Sequence, residues 1–344
     1  MLKGKAAYVF PGANTAAGYR SFFREGLAGM ERVFILKGGP GCGKSTLIRS
    51  LGRELQEKGY DVEFWQCSAD TDSLDGVLVP ALKAAVVDGT PPHVVEPIYP
   101  GVVEELVDLG ACWDGAELRR QRAQIVDLSQ QISGKYEKCT EHLEEAAAVL
   151  KQSRSAVEAA TGGSDVLLAQ VFGRQKKNCR HLFASSVTPR GWESLLEPLS
   201  RRAKRRIILV GPFGGGKEER LTAVAEEAWR RGLYAELYHH PLAVEELQMV
   251  WLPSLEAAIV GVEEAPPLRE GDIVIHCGRV TDDDQYSECR RSIKELTAAG
   301  GRQVAEAKSL HDKLEDCYRQ AMDYGRVEDI RAGLLDRLLA LAEE

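Results

Sequence analysis

The sequence predicts an α/β protein made of two tandem three-layer domains with mainly parallel sheets, each carrying a helical hairpin. Three observations predict it. Short apolar runs alternate with amphipathic stretches, the pattern of strands joined by crossover helices. A glycine-rich loop joins such a run to such a stretch twice, at Gly38–Ser45 and at Gly211–Glu218. The chain has 344 residues, which suits two domains of ordinary size.

The two loops belong to a repeat. Lys217 follows Lys44 by 173 positions (217 − 44), and neighbouring residues recur at that offset. Ile35 and Leu36 fall on Ile208 and Leu209, Gly59 on Gly232, and Glu63 on Glu236. Leu74, Val77, Pro80 and Leu82 fall on Leu247, Val250, Pro253 and Leu255. Beyond the fourth strand the offset becomes 168 (282 − 114), so Leu106 meets Val274, Gly110 meets Gly278 and Asp114 meets Asp282. Domains are therefore expected over residues 1–174 and 175–344, with the boundary in the basic stretch Arg174–Lys177.

The elements of the first domain follow in order. Strands are expected at Ala7–Phe10, Val33–Leu36, Val62–Trp65, Ala84–Val87 and Glu105–Leu109. A helix should begin near Lys44 and stop at Gly59, a C′ glycine. After Asp114 the pattern is helical for about 45 residues, with Leu118, Ile125, Leu128, Ile132, Leu143 and Leu150 forming a stripe. Gly134 interrupts it, and Gly300-Gly301 interrupts its counterpart. This predicts a hairpin with the glycines near its tip. A helical layer packed on the sheet is the alternative. The run Arg201–Arg206 reads as a solvated helix end, with contact to an anionic ligand as the alternative.

Composition bounds the function. A formal net charge of −8 argues against a general nucleic-acid binder. No apolar run is long enough to span a membrane. The start Met1-Leu2-Lys3-Gly4-Lys5 leads into no apolar signal region. The eight cysteines contain no C-x-x-C pair, which suits a reducing, cytoplasmic setting.

The first loop, Gly38-Gly39-Pro40-Gly41-Cys42-Gly43-Lys44-Ser45, fits the Walker A pattern G-x-x-x-x-G-K-[ST] and is followed by Thr46. Such a loop turns its backbone N–H groups around a phosphate, and the following helix offers its positive end. Gly38, Gly41 and Gly43 permit angles and close approach that a Cβ would prevent. Lys44 is expected to neutralise phosphate charge, and the Ser45 hydroxyl to hold Mg²⁺. Asp88, ending the run Ala84–Val87, is the expected second magnesium ligand and, with Lys44, the expected catalytic residue, a plain turn residue at Asp88-Gly89 being the alternative. No glutamate follows Asp88. Asp70, Asp72 and Asp75 are candidates to orient a water or an acceptor hydroxyl, with helix capping as the alternative. His93 is a further candidate contact to substrate or phosphate, with a satisfied loop histidine as the reading favoured over it. No [NT]-K-x-D element is present, so ATP is the expected nucleotide. These features give the fold class its specific form, two P-loop NTPase-type domains.

The second loop keeps Gly211, Gly214, Gly216 and Lys217 but has Glu218 where the hydroxyl belongs, and Gly261 where Asp88 would be. A carboxylate about 4 Å from a phosphate oxygen costs roughly 4 kcal/mol at a surface-like dielectric. This site is expected to be degenerate, binding nucleotide weakly or not at all. Glu263 and Glu264 are the displaced acids that would offset the loss.

The first loop, with Asp70-Thr71-Asp72-Ser73-Leu74-Asp75-Gly76 and Asp88-Gly89-Thr90-Pro91-Pro92-His93, resembles a bacterial family of tandem P-loop NTPases described as uncharacterised ATPases or nucleotide-kinase-like proteins. The stretch Gly38 to Thr46 is also similar to the loops of adenylate-kinase-like enzymes. The resemblance implies the P-loop fold and ATP binding. Three functions follow as expectations: a magnesium-dependent ATPase, a nucleotide or small-molecule kinase, and a non-catalytic ATP-responsive module whose hairpins bind a protein partner. Arg190 or Arg279 of the second half is a candidate to complete the first site.

Overall fold

The computed structural model describes residues 3–160 and 178–342. The expected boundary at Arg174–Lys177 lies outside them.

In the first repeat, β4 (Arg32–Lys37) leads into α2 (Lys44–Glu57), and β5 (Val62–Gln66), β6 (Leu74–Val79), β7 (Ala84–Asp88) and β8 (Glu104–Asp108) follow. With β1 (Ala6–Val9) they form one sheet in the order β1-β5-β6-β7-β4-β8. All pairings are parallel except those of β6, which runs against both β5 and β7. The five expected strands form close to their expected ends. β6 was not among the expected strands, yet every residue of Leu74–Val79 is buried within the sheet.

The second repeat builds the same sheet. β10 (Asn178–Phe183), β13 (Arg205–Val210), β14 (Tyr234–His240), β15 (Ala243–Leu252), β16 (Ala257–Val262) and β17 (Ile273–His276) lie in the order β10-β14-β15-β16-β13-β17. Only β15 is antiparallel to its neighbours. The helix after the loop strand is α6 (Lys217–Arg230).

Both loop helices stop as expected. The Gly59 N–H reaches Gln56 O and the Tyr60 N–H reaches Leu55 O, with Gly59 at φ 95. The Gly232 and Leu233 N–H groups repeat this on Trp229 O and Ala228 O. Both are Schellman motifs, which need a left-handed residue at C′. α2 buries Leu47, Ile48, Leu51 and Leu55 against Phe34, Phe64 and Val77 of its sheet. Each such side chain contributes roughly 1.5–3 kcal/mol.

The hairpin expectation is corrected. One unbroken helix, α4 (Arg122–Ser153), runs through Gly134, and one, α7 (Asp283–Arg319), runs through Gly300-Gly301. Gly134 has open space around its missing Cβ, so propensity alone opposes it there. Gly301 is different: a Cβ there would lie 2.9 Å from Gly191 Cα and 3.2 Å from Thr188 O. Those residues belong to the hairpin of β11 (Ser185–Thr188) and β12 (Gly191–Ser194). The glycine marks a close packing point, where sequence alone suggests a break.

Packing divides the chain into two compact units: Met1–Gly12, Ser21–Lys138 and Arg302–Glu344 in the first, Ala13–Arg20 and Cys139–Gly301 in the second. The units are not consecutive halves of the chain. In the first, α4 packs on α7 through Leu128, Leu314 and Cys317, with Lys135 paired to Glu306. In the second, Gly300 sits against Cys139 and Leu143. α8 (Tyr324–Ala340) follows α7 and adds Val327, Leu334 and Leu338 to the core around α2.

The basic run is also corrected at one residue. Arg206 is fully buried on β13, paired with Asp272 and donating to Pro267 O at 3.0 Å. Its neighbours Arg201, Arg205 and Lys204 stay exposed.

Candidate functional site

In the first unit, β4 delivers the chain to the turn Gly38–Gly43. Gly41 (φ 68) and Gly43 (φ 88) hold left-handed conformations that favour glycine. Gly43 is the N-cap of α2 and supplies no side-chain cap. Among the described residues, no intramolecular hydrogen bond takes the N–H of Gly39, Gly41, Cys42 or Gly43. Unsatisfied N–H groups at a helix N-terminus make an anion site. The Lys44 ammonium folds over the turn, donating to Gly38 O (2.7 Å) and Gly39 O (2.9 Å). It lies 3.5 Å from Asp88 Oδ2. Pro40 has no N–H to offer, and Cys42 is buried beside Lys44, burial pushing its thiol pKa up. Ser45 opens the helix, and its Oγ accepts from the Leu74 N–H at 2.9 Å, which leaves the hydroxyl a second lone pair. Thr46 is exposed on the first turn.

Asp88 ends β7, directly beside Leu36 of β4. Its Oδ1 accepts from the Thr90 N–H and Oγ1 (2.9 and 2.6 Å), which aims Oδ2 at Lys44. Lys37 fixes the loop beyond by donating to Gly89 O and Val95 O. His93 is buried, stacked on Phe23 at 4.4 Å, with Nε2 3.9 Å from Asp88 Oδ1. A side chain at Gly89 would meet Ile35 Cγ2 at 2.3 Å, so the position after Asp88 is closed to a glutamate.

Of the three acids considered, only Asp75 faces this cluster. It occupies the extra position of a bulge, since Gly76 pairs with Trp65 and Leu74 with Gln66. Bulges re-aim side chains. Burial, opposed by His93 and reinforced by Asp88, pushes its carboxyl up to about 6. The neighbouring Cys67 thiol is driven well upward by burial and by Asp75. Asp70 instead pairs with Lys308 at 3.3 Å, and the Asp72 carbonyl accepts from Arg49.

The end of α7 covers the outside of the turn. A Cβ at Gly39 would lie 2.6 Å from the Tyr318 ring, and one at Gly41 2.7 Å from Glu315 O. Tyr324 Oη donates to Gly41 O at 2.7 Å. These glycines are therefore required by protein packing as well as by any phosphate. Tyr318, Glu315 and Tyr324 had no signal near the loop in sequence. They reach it only because the first unit takes residues 302–344 from the far end of the chain.

In the second unit the same backbone carries other chemistry. Gly214 (φ 79) and Gly216 (φ 96) repeat the turn. A Cβ at Gly211 would lie 1.8 Å from Cys277 O. Lys217 Nζ donates to Pro212 O (2.8 Å) and to Glu218 Oε1 (2.6 Å), and both side chains are buried. Glu218 thus takes over the ion pair that Asp88 makes in the first unit. The turn is occupied by protein: the Gly215 N–H donates to Pro212 O, the Phe213 N–H to Tyr286 Oη, and Gly215 O accepts from Ala160. Gly261 stands at the Asp88 position with Leu221 3.1 Å from its missing Cβ. Gln248 is the counterpart of Asp75, in the same bulge. Glu263 and Glu264 both pair with Arg290. Arg279 pairs with Glu158 at 2.7 Å and Arg190 with Glu193 at 3.8 Å, all within this unit.

Comparison with protein-family models, with curated proteins and with solved structures finds no match. Among the described residues no helix is long and apolar enough to cross a membrane.

Proposed function

We propose that the first unit binds a magnesium nucleotide, ATP by the absence of a guanine-reading element, and hydrolyses it, while the second unit does not. One observation carries this reading. At the start of α2 the free N–H groups of the turn, the Lys44 ammonium and the Asp88 carboxylate converge, with Lys44 and Asp88 3.5 Å apart. The residues suit the ligand. The turn amides and Lys44 would hold phosphate oxygens, and Ser45 Oγ with Asp88 would hold magnesium as oxygen ligands. Magnesium, when bound, would offset phosphate charge. In the second unit Glu218 ties up Lys217, and its carboxylate adds repulsion where a phosphate would sit.

Asp75 favours a second reading, phosphoryl transfer to an acceptor hydroxyl. It is a buried carboxyl beside Asp88 and His93, placed to take a proton, and Gly89 closes the position where a water-activating glutamate would stand.

Phosphate release from magnesium-ATP, measured with and without a panel of hydroxyl acceptors, tests both. Release without acceptor that is lost in Lys44→Ala supports the hydrolase. ADP formation only with an acceptor, lost in Asp75→Asn, supports the transferase. No turnover and no binding under any condition refutes both.

A further inference from the structure

The second unit holds a cleft of about 420 Å³ against its own glycine-rich turn. Six of its lining residues define its chemistry: Trp192, Phe213, Lys217, Glu218, His240 and Gln248. Three are aromatic. The His240 ring stands 5.6 Å from Trp192 and 5.8 Å from Phe213. Trp192 is 37% exposed at the mouth, and Phe213 is buried.

Among the described residues, two acceptors in this cleft have no hydrogen-bond partner. Glu218 Oε2 is buried without a partner, although Oε1 of the same carboxylate is held by Lys217. Gln248 Oε1 is likewise buried without a partner. Buried polar atoms are rarely left in that condition, and each exception calls for an explanation. The repeat sharpens this point. Glu218 and Gln248 stand where the first unit has Ser45 and Asp75, and the bulge at Gln248 sets its side chain at the same place in the sheet.

We infer that this cleft is a binding site for a neutral, amino-substituted heteroaromatic compound of the nucleobase or nucleoside class, without phosphates. The two oxygens accept from N–H groups of the ligand, and the rings give flat surfaces for stacking. Charge selects against the alternatives. Lys217 balances Glu218, and the other charged residues of the lining balance as well, Glu246 and Glu263 against Arg290 and Lys294, so an organic ammonium meets no net anion. A phosphate would meet the Glu218 carboxylate. Burial together with Lys217 holds His240 down at about 3, so its ring adds no charge.

The test is calorimetric titration of the full chain carrying Lys44→Ala, which removes the proposed phosphate grip of the first unit. The probes are adenosine and cytidine, their keto counterparts inosine and uridine, and phenethylamine as a cation. Adenosine or cytidine should bind without magnesium, and its keto counterpart about tenfold or more weaker, one hydrogen bond to a buried acceptor being of that order. Trp192→Ala, at a partly exposed position, should weaken binding about tenfold, and Glu218→Gln should do the same. The inference is overturned if no probe binds, if keto and amino nucleosides bind equally, if phenethylamine binds best, or if Trp192→Ala leaves affinity unchanged. Each of these results stands apart from magnesium-ATP turnover at Lys44, which is read on the unmodified chain.

Discussion

Acidification should loosen the second unit and tighten the first. Two imidazoles carry the first half of this statement. Burial holds His239 down at about 4 and His240 at about 3, against an ordinary 6.5. The His239 Nδ1 lies 2.6 Å from Val244 O and its Nε2 2.7 Å from His181 Nδ1, so both ring nitrogens are committed. The unfolded chain takes up these protons first, so stability is full above 6.5 and is lost as pH falls toward 4 and 3. At pH 4.5 each histidine removes about 2.5 kcal/mol relative to pH 7, together about 5 kcal/mol. Asp75 acts in the opposite sense. Its folded value of about 6 lies above the ordinary 3.8, so the native state binds the proton first. Asp75 then adds stability to the first unit as pH falls through 6, about 2 kcal/mol at pH 4.5, while His311 of the same unit, held down by burial, acts against it. Amide hydrogen exchange, corrected for intrinsic rate, reads the two units separately through α2 and α6. Protection of α6 should fall by several thousandfold between pH 7 and 4.5 while that of α2 rises, and Asp75→Asn should abolish the rise. Protection of α6 that is flat or increases on acidification would refute the burial argument.

Gly134→Ala should stabilise by about 1 kcal/mol through helix propensity, whereas Gly301→Ala should lower the melting temperature, because its Cβ meets the Gly191 backbone; thermal melts compare them directly. Arg206→Ala should cost about 3 kcal/mol by leaving the buried Asp272 carboxylate to Arg269 alone, and Arg206→Met with Asp272→Leu should recover part of it, as denaturant titration of the four-member cycle would show. Gly41→Ala should destabilise the protein without any nucleotide present, because φ 68 and the Glu315 carbonyl both oppose a Cβ; an unchanged midpoint in urea would assign that glycine to ligand approach alone.

Strands, loops and helix stops were legible where the signal is local. An apolar run before Gly38, an amphipathic helix after it and Gly59 at its C′ position are all short-range chemistry. β6 was not legible. Asp75-Gly76 has turn composition, and only the two neighbouring strands, β5 and β7, draw it into the sheet. Asp75 stood among three candidate acids, and the sequence did not choose between them, since a bulge is a property of the pairing, not of the run. The long helices exposed a second limit. Their apolar stripe shows which face is buried and does not name the partner, so Tyr318 and Tyr324 could not be linked to Gly39 and Gly41. The repeat placed Lys44 on Lys217 and Asp88 on Gly261, but did not show that Glu218 would take over the lysine.

Isothermal titration of magnesium-ATP into the full chain and into its Lys44→Ala and Lys217→Ala variants bears most directly on the difference between the two turns. One nucleotide per chain is expected, lost with Lys44→Ala and kept with Lys217→Ala. Two per chain, none, or loss only with Lys217→Ala would contradict it.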